Sequence, residues 1–129
     1  MNEVTTREDI ESFDGQRVKL TGIYRQYELR KGPSPEGQKK YFRGHVYLEL
    51  EDGEGVILLP VWDRTCIRNR KEIKRFQGKK VSLIGVIHAE APNHPGPMPV
   101  QNLMVPCLTY LEGLDFVTES NAKLDLGKK

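Results

Sequence analysis

Cysteine is scarce in this chain of 129 residues, occurring only at Cys66 and Cys107. No CxxC or HxxxH is present, and His45, His88 and His94 do not complete a paired ligand spacing, so neither a structural metal nor any other cofactor is expected. With no secretory pattern around them, the two cysteines are expected to be reduced and partly buried. Long apolar runs are also missing. None approaches the ~20 residues that a bilayer-spanning helix needs, which excludes that class of membrane protein. The opening MNEVTTREDI is polar and acidic, unlike an apolar leader, and the expectation is a cytoplasmic chain with no membrane partner.

Catalytic signatures are missing too. There is no nucleophile elbow or dinucleotide fingerprint. Gly32 and Gly37 have the spacing of a phosphate loop, but Gln38 follows Gly37 where Gly-Lys-Ser/Thr would be required, and no strand-then-helix context surrounds them. Glu49, Glu51, Asp52 and Glu54 flank a turn, where acidic residues form turns and solubilise. The chain reads as a non-enzyme.

A large charge imbalance is absent as well: the net charge is +2, with 29% charged and 37% hydrophobic residues, ordinary for one soluble domain. Residues 1–117 are expected to form that domain, a monomer, and 118–129 a disordered polar tail. The distribution of charge says more. Glu3, Glu8, Asp9, Glu11 and Asp14 make the start acidic. Arg64, Arg68, Arg70, Lys71, Lys74, Arg75, Lys79 and Lys80 make a later segment basic.

What is present is a repeat. REDIESFDGQRVKLTGIY from Arg7 matches RKEIKRFQGKKVSLIGVI from Arg70 at a constant offset. Ile10 falls on Ile73, Phe13 on Phe76, Gly15 on Gly78, Val18 on Val81, Leu20 on Leu83 and Gly22 on Gly85. Each copy reads as a short helix or turn, a glycine stop, and a strand of form V-x-L-x-G. Residues 1–6 read as a loose end, and in the first copy Thr6 is the expected N-cap of a turn over 8–13.

Period-two alternation predicts a strand over 16–29, with Gly22 marking a bulge or bend. A second strand spans 41–51, with Phe42, Val46, Leu48 and Leu50 on one face and Tyr41, Arg43, His45, Tyr47, Glu49 and Glu51 on the other. A turn at 52–55 leads to a third strand over 56–62, where Pro60 suggests an edge position or a bulge near the strand's end. A basic helix is expected over 63–76, a fourth strand over 79–89 and a fifth over 101–108. Residues 109–117 read as a turn or short helix. The proline- and glycine-rich segments 30–40 and 91–100 read as loops.

The order β-β-β-α-β-β, the long first strand with its central glycine, and the pairs Val18-x-Leu20-x-Gly22 and Val81-x-Leu83-x-Gly85 resemble the OB-fold. The resemblance, to small bacterial single-domain OB proteins, spans roughly residues 7–110. It implies an all-β, five-stranded Greek-key barrel with one short helix between strands 3 and 4. It also implies a ligand face on strands 2 and 3, flanked by the loops between strands 1–2 and 4–5. On this sequence that face collects Arg25, Tyr27, Tyr41, Arg43, His45, Tyr47 and Trp62, with Arg30, Lys31, Lys39 and Lys40 in the flanking loop.

Cations for phosphates and flat rings for bases make single-stranded nucleic acid the expected partner, bound with little sequence specificity. In that reading the arginines and lysines contact phosphates, and Tyr27, Tyr41, Tyr47 and Trp62 stack. Trp62 also fits a barrel-end core position, the basic helix also fits a plain solvated face, and Tyr24 and Tyr27 could exchange roles after Gly22. The alternative is an accessory module that engages a protein through the edge of the third strand or the 91–100 loop.

Overall fold

In the computed structural model the described residues are 1–27, 44–60, 63, 65–92 and 105–117. Their elements are β1 (Glu3–Val4), α1 (Arg7–Ser12), β2 (Arg17–Gln26), β3 (Val46–Glu49), β4 (Gly55–Leu58), α2 (Arg70–Phe76), β5 (Lys80–His88) and β6 (Cys107–Phe116).

Val18, Leu20 and Tyr24 in β2 all point inward and are fully buried, as period two requires. The strand serves two neighbours. Arg17 through Ile23 pair antiparallel with β5, and Ile23 through Gln26 pair antiparallel with β3. β3 runs antiparallel to β4, β4 parallel to β6, and β6 antiparallel to β5. The order β2-β3-β4-β6-β5 therefore closes through β5–β2 into a five-stranded, OB-like barrel, with α2 between β4 and β5. β1 adds to β2 as a short parallel sixth strand, Val4 beside Leu20. The core is one cluster that includes Ile10, Leu20, Tyr24, Leu48, Leu58, Leu83, Ile87 and Leu108.

The sequence repeat is a spatial symmetry. Leu20 pairs with Leu83, Val18 with Gly85 and Gly22 with Val81, so the two copies exchange about a local two-fold axis between Leu20 and Leu83. The backbone obeys the same exchange. Gly15 N–H donates to Ile87 O at 2.7 Å and Gly78 N–H to Tyr24 O at 2.8 Å. Ile87 N–H donates to Gln16 O at 3.0 Å and Tyr24 N–H to Lys79 O at 2.9 Å. Across the barrel, Ile57 pairs with both Tyr47 and Cys107, so β4 lies on the axis. A two-fold that turns β4 end for end makes it antiparallel to β3 and parallel to β6, as observed.

The two strand glycines share one cause. A Cβ on Gly22 would lie 2.7 Å from the Glu49 carbonyl oxygen, and one on Gly85 would lie 2.5 Å from that of Thr109. Each neighbouring strand crosses where a side chain would stand. The burial of β2 alternates through Gly22 without a break, so this glycine marks a close approach and not the expected bulge. Tyr24 accordingly stays inside and Tyr27 outside.

Both helices start at side-chain caps. Thr6 Oγ1 accepts from Asp9 N–H at 3.3 Å, and Asn69 Oδ1 accepts from Lys71 N–H at 2.7 Å. The second cap confines α2 to seven residues, shorter than the helix expected over 63–76. Phe76 packs on Tyr24 and on Phe116, at ring separations of 5.8 and 4.7 Å. The Tyr24 hydroxyl donates to Glu72 Oε2 at 2.7 Å, and Arg68 grips the same carboxylate through Nε at 2.8 Å and Nη2 at 2.9 Å. This triad fastens α2 across the end of the barrel.

Three further expectations change. Residues 109–116 continue β6 and are not a turn or helix. Register shifts against β5, with Tyr110 (φ 53) and Gly113 (φ 67), break the alternation that would have signalled a strand. Residues 3–4 form β1 and are not a loose end. Of the two expectations at Pro60 the edge does not hold, since β4 is paired on both sides; the strand stops at Leu58, and the backbone turns irregular at Leu59 (φ 74), just before Pro60. The expected tail at 118–129 lies outside the described residues.

Candidate functional site

The outer face of the barrel follows from the register, because residues paired across strands share a face. One transverse row runs Arg25, Tyr47, Ile57, Cys107, His88 over β2, β3, β4, β6 and β5. The local two-fold exchanges its ends, Arg25 with His88 and Tyr47 with Cys107. The row is therefore polar at both ends and apolar in the middle.

At the β2 end the chain builds an aromatic platform. The Tyr27 and Tyr47 rings stack at 4.3 Å with an interplanar angle of 29°. Backbone bonds seat Tyr27 beside β3, its N–H donating to His45 O at 2.9 Å and its carbonyl accepting from Gly44 N–H at 3.3 Å. Gly55 makes room for the rings, since a Cβ there would meet Tyr47 Cδ2 at 3.2 Å. Beneath and beside the pair lie Ile57, Ala91, Cys107 and Val105, a second apolar cluster separate from the barrel core.

Arg25 stands at the rim of the platform, exposed, with Nε donating to Glu49 Oε1 at 2.8 Å. That hydrogen bond raises the guanidinium's already high pKa, so its charge is fixed, and Glu49 offsets part of it. His45, expected on the outer face, is 95% enclosed, with only 5% of its surface exposed, and positions Tyr27 through its backbone. At the opposite end His88 Nε2 lies 2.9 Å from Thr109 Oγ1. Burial holds that imidazole below the usual histidine range, with Asp14 opposing the shift. Burial also pushes the fully enclosed Cys107 thiol up to about 12.

The structure thus brings together Arg25, Tyr27 and Tyr47 on one surface, with His45 behind them. Arg30, Lys31, Lys39, Lys40, Tyr41, Arg43 and Trp62 lie outside the described residues, as do most of the two flanking loops. Sequence reading missed Ile57, Cys107 and Gly55 as parts of this face. Parity signals Ile57 and Gly55, which stand across from Tyr47 and Glu49 once the 52–55 turn fixes the β3–β4 register, whereas Cys107 is placed by the β4–β6 pairing, which no local spacing signals. Among the described residues no group of three His, Cys, Asp or Glu could hold a metal ion, and no helix is long and apolar enough to cross a membrane.

The fold and face define a closed, OB-like β-barrel with a small aromatic platform on its β2–β3–β4 surface. No protein-family model matches the chain, and no curated protein matches it.

Proposed function

We propose that this chain is a non-catalytic OB-fold module that binds single-stranded nucleic acid with little sequence specificity, acting as a cytoplasmic monomer. The observation that carries the reading is the stacked Tyr27–Tyr47 pair with Arg25 at its rim, on the strands where OB-folds hold ligands. A ring presented on a sheet offers any base a partner for stacking, worth about 1–3 kcal/mol per base. Arg25, permanently charged, supplies a phosphate contact by exchanging or sharing its bond to Glu49. The loop cations Arg30, Lys31, Lys39 and Lys40, with Arg43, would add to the electrostatic attraction, and Tyr41 and Trp62 to the stacking.

Fluorescence anisotropy with labelled single strands across a salt series tests this. Binding that weakens linearly in log–log form as salt rises supports it. Absent binding at low salt, or binding indifferent to salt, defeats it.

The second reading is a protein-binding accessory module. It is favoured by the Arg25–Glu49 pairing, which lowers the local positive charge. The double pairing of β4 removes strand addition at that strand as its mechanism. Pull-down with and without nuclease separates the two readings, a nuclease-resistant partner favouring the second.

A further inference from the structure

The basic helix α2 adjoins the tyrosine face. Gly78 N–H donates to Tyr24 O and Tyr24 N–H donates to Lys79 O, which seats the end of α2 directly beside Tyr24 and hence next to Arg25. Lys80 pairs with Ile23, two residues from Arg25 on the same outer face. From there Lys79, in the turn after the helix, and Lys74, Lys71 and Arg70 on the helix follow, all exposed, and among the described residues none of them forms an ion pair. The one acidic residue of α2, Glu72, is turned away, held by Tyr24 and Arg68.

The local two-fold sharpens the contrast. At the opposite pole, α1 carries Glu8 and Glu11 where α2 carries Lys71 and Lys74. The barrel presents one scaffold twice, once acidic and once basic. A polyanion on the tyrosine face is thus repelled by one pole and drawn to the other.

We propose that a nucleic-acid strand stacked on Tyr27 and Tyr47 continues past Arg25 over α2, where Lys80, Lys79, Lys74 and Lys71 hold its phosphate backbone. This rests on the reading of the ligand as single-stranded nucleic acid. It adds a direction for the strand and a second, purely electrostatic contact surface.

The test measures salt-dependent binding of labelled oligothymidylates of about 16 and about 4 nucleotides, spanning the range of OB-fold site sizes. The variant changes Lys71, Lys74, Lys79 and Lys80 to Gln. Arg75 is left in place because its guanidinium covers the Phe76 and Phe116 rings. Each lost single-strand phosphate contact flattens the log–log salt slope by about 0.7, so the expected change on the long strand is roughly 3, with affinity falling at least roughly tenfold at low salt. On the short strand the variant matches wild type. The corresponding Lys→Arg variant keeps wild-type slope and affinity on both. Should the glutamine variant lose its thermal melt, Lys71→Gln and Lys74→Gln singly carry the same test, each flattening the slope by about 0.7.

A double Tyr27→Ala, Tyr47→Ala variant weakens both strands with the slope retained, which reports on the tyrosine face separately. A wild-type slope in the glutamine variant, or an equal loss on both lengths, overturns the α2 contact while leaving the tyrosine-face reading in place. If wild type binds neither strand, that functional reading falls and the α2 contact with it. Salt-sensitive self-association without oligonucleotide binding assigns α2 to the α1 pole of a second copy, and also overturns the proposal.

Discussion

Replacing Gly85 by Ala tests how the barrel closes. In an unobstructed strand the change would be neutral or stabilising, by about 0.4–1 kcal/mol, because alanine restricts the unfolded chain. Here the new Cβ would lie 2.5 Å from Thr109 O and 2.8 Å from Leu108 Cγ. Ordinary contact begins at 3.4 Å, so β5 and β6 must part by nearly an ångström, or Leu108, which is fully buried, must leave its place. Overpacking of this kind costs about 1–3 kcal/mol, and the backbone oxygen cannot swing aside as a side-chain tip can. The expected net loss is about 2 kcal/mol. Gly22→Ala, which meets Glu49 O at 2.7 Å and has the Leu48 Cβ at 3.2 Å, is expected to lose somewhat less. Urea denaturation with a common m-value reads both, against Ser82→Ala on the outer face, which should stay within about 0.5 kcal/mol of wild type. A Gly85→Ala chain as stable as wild type would refute the close β5–β6 crossing and, with it, the two-fold account of the repeat.

Tyr24→Phe removes the hydroxyl bonded to Glu72 and should cost about 1.5–3 kcal/mol, the range for a hydrogen bond to a charged group, read by the same denaturation. Stability should also fall on acidification. Burial raises the Glu72 carboxyl, but Arg68 and Tyr24 overcome it and hold the group below its ordinary value. Such a group stabilises above its unfolded pKa and loses that stabilisation as pH falls through its folded one. Glu72→Gln should therefore flatten the acid limb of stability against pH, and an unchanged limb would contradict the triad. Neither cysteine should react with a disulfide-exchange reagent in the native state near pH 8, since both are buried and the Cys107 thiol is pushed up to about 12, whereas both should react in denaturant. Thr6→Ala removes the α1 cap and should cost about 1 kcal/mol by thermal melt.

Much of the fold was legible because one pattern occurs twice. The V-x-L-x-G strands announced themselves by alternation, and their glycines by position, although the reason for each glycine, a neighbouring carbonyl, belongs to tertiary structure. β6 was cut short because its bulges and the positive φ of Tyr110 destroy period two from Tyr110 onward. The start of α2 was misplaced although Asn69, a good cap residue, stood at the boundary. On the site, alternation alone located Arg25 and Tyr47. It could not tell that His45 would be enclosed, that Glu49 would engage Arg25, or that the end of α2 would lie against the same edge of β2. Those depend on which strands meet, which the spacing of residues along the chain does not encode.

The most direct measurement is a nuclear magnetic resonance titration of the full chain with a short single-stranded oligonucleotide. The account predicts saturable amide shifts centred on Arg25, Tyr27, Tyr47 and Ile57, with little change at α1. Shifts confined to other surfaces, or none at low salt, would contradict it.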